Sequence, residues 1–509
     1  MRSSGILLAV SSLPNEYGIG CFSKEAYRFV DFLAASGQKY WQILPLGPTG
    51  YGDSPYQSFS TFAGNPYYID LNEFIDEGWL SADECKEAYE EYYESDERYH
   101  GLSDDEKANY VDYEAQYYAR FSLLKRAYTR SRIEKNSDFN EFVKKEAYWL
   151  EDYALFMAIK DDNRGAEYTK WDKGLRLREK KSIEEARKKL ADRVGFYKFL
   201  QYYFKKQWIS LKKYANINNV EIIGDIPIYV ALDSADTWAN PELFLFDNNL
   251  KPKGVAGCPP DYFSRTGQLW GNPLYDWDYH KQNGYDWWVK RLAKCYELYD
   301  VVRIDHFRAF DEFYFIPFGD ETAEFGHWEK GPGIELFKCI NDRLNKPRVI
   351  AEDLGLLTPS VIKLVKKTGY PGMKVLEFAF DSGEDNDYLP HNYDKNCVVY
   401  TGTHDNDTVL GWYKTLKRKD KHFIKDYLGI NNARKLNRDL IKLAEASTAD
   451  TCIIPMQDVL GLGSEARINT PSTLGYNWQW RMLPSYLRDE SFHSFSEYLY
   501  KITSIYGRV

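Results

Sequence analysis

Short apolar runs recur along the chain, and most are followed by a stretch of helical periodicity. Eight of them read as buried strands: Gly5–Leu13, Tyr40–Leu46, Val220–Val230, Val301–His306, Arg348–Leu354, Lys374–Phe380, Cys397–Asp405 and Cys452–Leu460. After the first run, Ser23 is placed to cap a helix with Phe29, Val30 and Leu33 on one face, and Gly37 closes it. From 76 to 216 the pattern changes to long charged helical stretches, 104–130, 138–161 and 182–214, with Glu and Lys interleaved and glycine rare. This predicts a largely helical insertion between the second and third strands. Residues 231–290 are rich in Gly, Pro and Trp and predict a loop-rich insertion over a cleft. Near-continuous apolar strands belong in a sheet covered on both faces. Eight strand–helix alternations predict an α/β fold of the (β/α)8 TIM-barrel class, residues 1–509 forming one catalytic unit. A doubly wound sheet would need a glycine-rich phosphate loop after an early strand, and none is evident.

Charge narrows the partners. A net charge of −10 argues against nucleic acid or an anionic membrane held by general electrostatics, and favours a neutral polar ligand. Tyr 42 and Trp 14 are abundant, which suits ordinary core and also stacking on the apolar faces of sugar rings. The seven cysteines include no CxxC, and Cys295, Cys339, Cys397 and Cys452 lie beside or inside apolar runs, so neither a zinc site nor a disulfide framework is expected. Gly5–Val10 is too short for a signal peptide, and no transmembrane span is evident, so the expected compartment is the cytoplasm. A plastid is the equivalent if a transit peptide has been removed.

The chemistry gathers where the strands end. Val301-Val302-Arg303-Ile304-Asp305-His306-Phe307-Arg308 begins apolar and turns abruptly to charge. One such end is ordinarily a structural Arg–Asp pair. Here Asp225, Asp305, Glu352, Asp405 and Asp458 all follow apolar runs, and convergence of them at one rim would raise their pKa values and destabilise the fold. Two chemistries use such a cluster. Glycoside chemistry needs one carboxylate as nucleophile and one protonated carboxyl as acid, and a divalent metal site could use His404, Asp405 and Asp407. Asp353 follows Glu352 but points to the other face of its strand. The loop Gly50-Tyr51-Gly52-Asp53-Ser54-Pro55-Tyr56-Gln57 cannot be regular structure and carries two tyrosines, and Trp270 could stack on a sugar ring.

Several motifs in order give a specific resemblance: Ser11-Ser12-Leu13-Pro14, Gly50–Gln57, Gly224–Val230, Arg303–Arg308, Ala351-Glu352-Asp353-Leu354-Gly355, Thr403-His404-Asp405-Asn406 and Gln457–Gly463. With these the chain resembles, end to end, glycoside hydrolase family 77, the amylomaltases or 4-α-glucanotransferases. The resemblance implies transfer of α-1,4-glucan segments by a retaining mechanism, with Asp305 as nucleophile, Glu352 as general acid/base and Asp405 as the third carboxylate. It implies substrate-binding roles for Arg303, His404, Asp225, Tyr51, Trp270 and Asn469, and glucan contact by the loop 254–264. Arg303 would keep the nucleophile ionised, and His404 would bond a hydroxyl of the transferred sugar. The expected partners are α-1,4-glucans and maltooligosaccharides, with no metal and no organic cofactor, and the chain acting as monomer or homodimer. Ending at Val509, it is expected to lack the C-terminal β-sandwich of α-amylase-like enzymes. An α-1,4-glucan hydrolase on the same barrel is the alternative.

Overall fold

In the computed structural model, residues 2–50, 52–260, 264–355, 357–473 and 475–509 are described, Asp104 for its backbone alone. Eight strands form one sheet: β1 (Ser3–Leu7), β2 (Tyr40–Gln42), β3 (Glu221–Pro227), β4 (Val301–Asp305), β5 (Val349–Ala351), β6 (Gly372–Val375), β7 (Cys397–Tyr400) and β8 (Thr451–Pro455). Their order is β6-β7-β8-β1-β2-β3-β4-β5, and every ladder is parallel. The two ends of that order meet where Ala351 N donates to Pro371 O at 2.9 Å. The chain is a (β/α)8 barrel.

Alternation sorts the strand residues. Ile223, Val301, Ile350, Met373, Val398, Tyr400 and Ile453 fill the barrel interior, while Ile222, Val302, Ile304 and Ala351 face outward into the core beneath the helices. Outside, the helix Lys24–Ala35 seats Phe29 against Trp41, ring centroids 5.1 Å apart. Gly224 of β3 has no room for a side chain, since a Cβ there would lie 2.2 Å from the Tyr299 ring.

The strands are shorter than their apolar runs. The run 452–460 is β8 followed directly by a helix, Met456–Leu460. Pro455 has no N–H to continue the ladder, and an apolar run does not distinguish strand from buried helix.

Between β2 and β3 the chain is helical, and its longest members are Ser137–Asp162 and Ala191–Ile217. The second of these braces the loop that follows β2. Gln201 accepts from Gly64 N at 2.7 Å and donates to Gly64 O at 2.8 Å, and Gln207 accepts from Asp70 N at 2.7 Å. The stretch 231–290 contains more regular structure than its Gly/Pro content predicts. Gly254–Cys258 and Gln268–Pro273 join Glu312–Pro317 and His327–Lys330 in an antiparallel sheet of four strands. Glycine serves that sheet rather than breaking it: a Cβ on Gly257 would lie 2.1 Å from the Gln268 carbonyl. Among the described residues no helix is long and apolar enough to cross a membrane.

Candidate active site

The interior of the barrel changes from apolar to polar along its strands. In β4 the inward residues are Val301, Arg303 and Asp305, and the register sets Arg303 opposite Asp225 of β3. Arg303 is 3 % exposed and grips both Asp225 oxygens, Nη1 donating at 2.8 and 2.6 Å, while Nη2 donates to Asp305 Oδ1 at 3.0 Å. The third guanidinium nitrogen, Nε, points at Met373 Sδ, 3.4 Å away. Burial alone would push the Arg303 pKa down, but Asp225 and Asp305 hold it well above the usual value. Asp305 thus faces a fixed cation.

Glu352 lies one residue beyond the last paired position of β5, Ala351, which sits opposite Ile304. Asp305 and Glu352 are therefore successive strand ends on neighbouring strands, whose backbones run ~4.8 Å apart. The chain fixes the Glu352 carboxyl with two amides: His306 N donates to Oε2 at 2.7 Å and Leu354 N to Oε1 at 2.9 Å. His306 itself has a left-handed backbone, with φ 53°. Burial, then the adjacent Asp305 charge, pushes the Glu352 pKa up to about 8. Two neighbouring carboxyl groups are so divided, one held beside a guanidinium and one carrying a proton at neutral pH. That division suits a nucleophile and an acid.

The opposite wall comes from the loop after β7. Asp405 Oδ1 accepts from Asn469 Nδ2 at 2.6 Å, and Oδ2 lies 3.4 Å from His404 Nε2. Arg467 holds the same segment from behind, donating to Asp405 O at 2.8 Å and to Asn469 O at 2.7 Å. His404 stacks on Tyr56, ring centroids 5.0 Å apart, and Tyr56 donates its hydroxyl to Asp225 Oδ2 at 2.9 Å. Trp270 sets its ring edge-on to His306 at 4.8 Å, its Nε1 donating to Gln268 at 3.0 Å. Tyr56, Trp270, Asp305, His306, His404, Asp405 and Asn469, with Tyr229, Asn272 and Trp478, line a cleft of about 680 Å³.

The structure brings Asp305, Glu352, Arg303, His404, Asp405, Asn469 and Trp270 to one place. Asp225 is part of it but is fully buried with its oxygens bonded by Arg303 and Tyr56, so it orients Arg303 instead of opening to the cleft. Asp458 does not join the rim as expected. It lies on the helix after β8, 1 % exposed, accepting from Thr401 Oγ1 at 2.6 Å and Val409 N at 2.8 Å. Asp407 also turns away, to Ser464 Oγ at 2.7 Å, so it makes no metal site with Asp405. Among the described residues no group of three or more His, Cys, Asp or Glu is disposed to hold a metal ion. Tyr51 and residues 261–263 of the loop 254–264 lie outside the described residues. Sequence reasoning passed over Tyr56, Trp478 and the amide of His306. The loop's two tyrosines gave no basis for preferring Tyr56, and a left-handed backbone at a histidine leaves no sequence signal.

Known proteins resemble the chain along nearly its whole length. A family model described as 4-alpha-glucanotransferase, that of glycoside hydrolase family 77, matches residues 8–486. A 4-alpha-glucanotransferase of Clostridium butyricum is 46 % identical over 501 residues, covering 98 % of this chain and 99 % of its own. One from Thermus thermophilus is 46 % identical over 500 residues, covering 96 % of each chain. Among solved structures, an amylomaltase from Streptococcus agalactiae in complex with acarbose superposes with a TM-score of 0.93 at 39 % identity, covering 100 % of both chains.

Proposed function

The chain belongs to the 4-alpha-glucanotransferases of glycoside hydrolase family 77, and we propose that it moves α-1,4-glucan segments by double displacement on Asp305 and Glu352. The observation that carries the mechanism is the division between the two carboxyls: Asp305 bonded to Arg303, Glu352 pushed up to about 8. An Asp305 oxygen attacks the anomeric carbon while Glu352 gives its proton to the departing glycosidic oxygen. The C1–O bond breaks, and the leaving chain departs with a free hydroxyl. The glycosyl group is then held as an ester of Asp305. Glu352, now ionised, takes the proton from an incoming sugar hydroxyl, which attacks C1 and releases Asp305.

Asp405 and His404 bond hydroxyls of the sugar whose ring flattens in the transition state, and Asn469 holds Asp405 in place for this. Trp270, edge-on to His306, offers a stacking face in the cleft. The aromatic walls, Tyr56, Tyr229, Trp270 and Trp478, favour a sugar over water as the second nucleophile by desolvating the ester. Donor and acceptor are α-1,4-glucans and maltooligosaccharides, handled by a monomer or homodimer, without metal or organic cofactor, in the cytoplasm or in a plastid.

Incubation with maltotriose and no added metal, with products resolved by length over time, tests this reading. Glucose together with maltopentaose and longer chains, at nearly constant reducing ends, is the expected result. A steady rise in reducing ends with only shorter products would make the enzyme a hydrolase.

A further inference from the structure

The seam between β5 and β6 is the one junction of the barrel order without a ladder of its own among the described residues. Ala351 N donates to Pro371 O across it, and the next bond comes from a side chain: Met373 N donates to Asp353 Oδ1 at 2.7 Å. A carboxylate here replaces the strand's own carbonyl as the acceptor. The neighbouring residue is shaped for it, because a Cβ on Gly372 would lie 2.3 Å from Asp353 Oδ2. Asp353 directly follows Glu352, and Leu354 N, one residue further, donates to Glu352 Oε1. The segment 352–354 carries the acid/base carboxyl and one of its two amide bonds, yet β5 ends at Ala351. Beyond that point Glu352 is still tied on the β4 side by its backbone, its N donating to Ile304 O at 3.1 Å and its O accepting from Phe307 N at 3.0 Å, while the Asp353–Met373 bond holds the segment on the β6 side.

We infer that Asp353 is a positioning residue for the reaction: by bonding Met373 N across the barrel seam it sets the placement of the Glu352 carboxyl. It touches no substrate. This deepens the reading of Glu352 as acid/base and rests on it. Loss of the bond releases the segment from β6 and lets it shift about its β4-side bonds, and a displacement of ~1 Å at a catalytic group costs on the order of a hundredfold in rate. The loss falls only on steps in which Glu352 moves a proton.

The test compares two reactions. In maltotriose disproportionation Glu352 must protonate the departing oxygen and later deprotonate the acceptor. With α-maltotriosyl fluoride and azide neither is required: the C1–F bond breaks with fluoride taking the electron pair, Asp305 forms the ester, and azide, already an anion, displaces it. Asp353→Ala is expected to slow the first reaction about a hundredfold and the second less than about threefold. Asp353→Asn, whose amide oxygen can still accept from Met373 N, is expected to stay within about threefold on both. Should Asp353→Ala not fold, Gly372→Ala displaces the carboxyl from the partner strand and should give the same selective loss. Equal slowing of both reactions, or a maltotriose rate like the parent's, would overturn the inference, as would Asp353→Asn behaving like Asp353→Ala. Glu352→Gln in the same assays keeps the two claims apart. If it fails to spare the fluoride–azide reaction, the acid/base reading itself is wrong; if it spares it and Asp353→Ala does not, only the positioning role falls.

Discussion

At the scale of single residues, the site works by giving like groups unlike surroundings. Glu352 is raised to about 8 by burial and by Asp305, with Arg303 pulling the other way. An acid must be protonated when the glycosidic bond breaks, so the competent form persists below that value and is lost above it. The expected kcat/KM profile therefore falls about tenfold per pH unit on an alkaline limb near pH 8. An alkaline limb already complete below pH 6 would assign the proton to another group. Tyr56 is the second residue to test. Its hydroxyl serves Asp225 while its ring stacks on His404, so Tyr56→Phe keeps the stack and removes the bond. One buried hydrogen bond to a charged group is worth ~1.5–3 kcal/mol, and the expected result is a loss of about tenfold or more in kcat/KM together with a lowered melting temperature. An unaltered kcat/KM would mean that Arg303 alone fixes Asp225. Arg303, Asp305, Glu352 and Asp405 were all legible in the sequence, because a charge at the end of an apolar strand stands out. Tyr56 was not, because an aromatic in an irregular loop looks alike whether it packs a turn or walls a cleft.

At the scale of elements, the loop 401–409 depends on a neighbour. It carries His404 and Asp405, and the helix after β8 holds both its ends through Asp458, which bonds Thr401 Oγ1 and Val409 N. Asp458 was expected at the rim because its apolar run looked like uninterrupted strand. The break at Pro455 swings it behind the loop instead. Burial, against the bonds from Thr401 and Val409, raises its pKa to about 6. Asp458→Ala leaves a buried amide and hydroxyl without an acceptor, at a cost of ~1–3 kcal/mol for each. It is expected to lower the melting temperature by several degrees and to reduce kcat through a loosened Asp405. Asp458→Asn should recover most of both, and a variant with parental melting and activity would remove Asp458 from this role. The helices and the eight alternations were readable from periodicity. The strand limits and the four-stranded sheet were not, because glycines such as Gly257 permit close strand approach while giving no alternation to read.

At the scale of the whole molecule, the two ends of the barrel are chemically separate. The strand C-termini hold the cleft, and the opposite end holds a latch. Arg508 is fully buried there, donating to Ser3 O at 3.0 Å at the start of β1, to Ala449 O at 2.8 Å and Ser447 O at 3.2 Å before β8, with Nε 3.2 Å from Glu445 Oε2. It ties the chain's last residues to the junction of its first and last barrel strands. Residues at this end of such a barrel serve stability and not catalysis. Burial raises the Glu445 pKa to about 7, with Arg508 pulling it down. A carboxyl raised in the folded state contributes stability that is present at acid pH and fades as pH rises through its folded value. Without Arg508 that buried carboxyl, once ionised, keeps only the Arg2 charge and loses its ion-pair partner, a loss of up to ~3–5 kcal/mol. Arg508→Met is thus expected to lower the melting temperature more at pH 8.5 than at pH 5, where Glu445 can stay protonated, while kcat at low temperature stays near the parent's. A pH-independent deficit would show that the arginine acts through its carbonyl partners alone. A loss of kcat in protein still fully folded would show that the latch reaches the catalytic end after all.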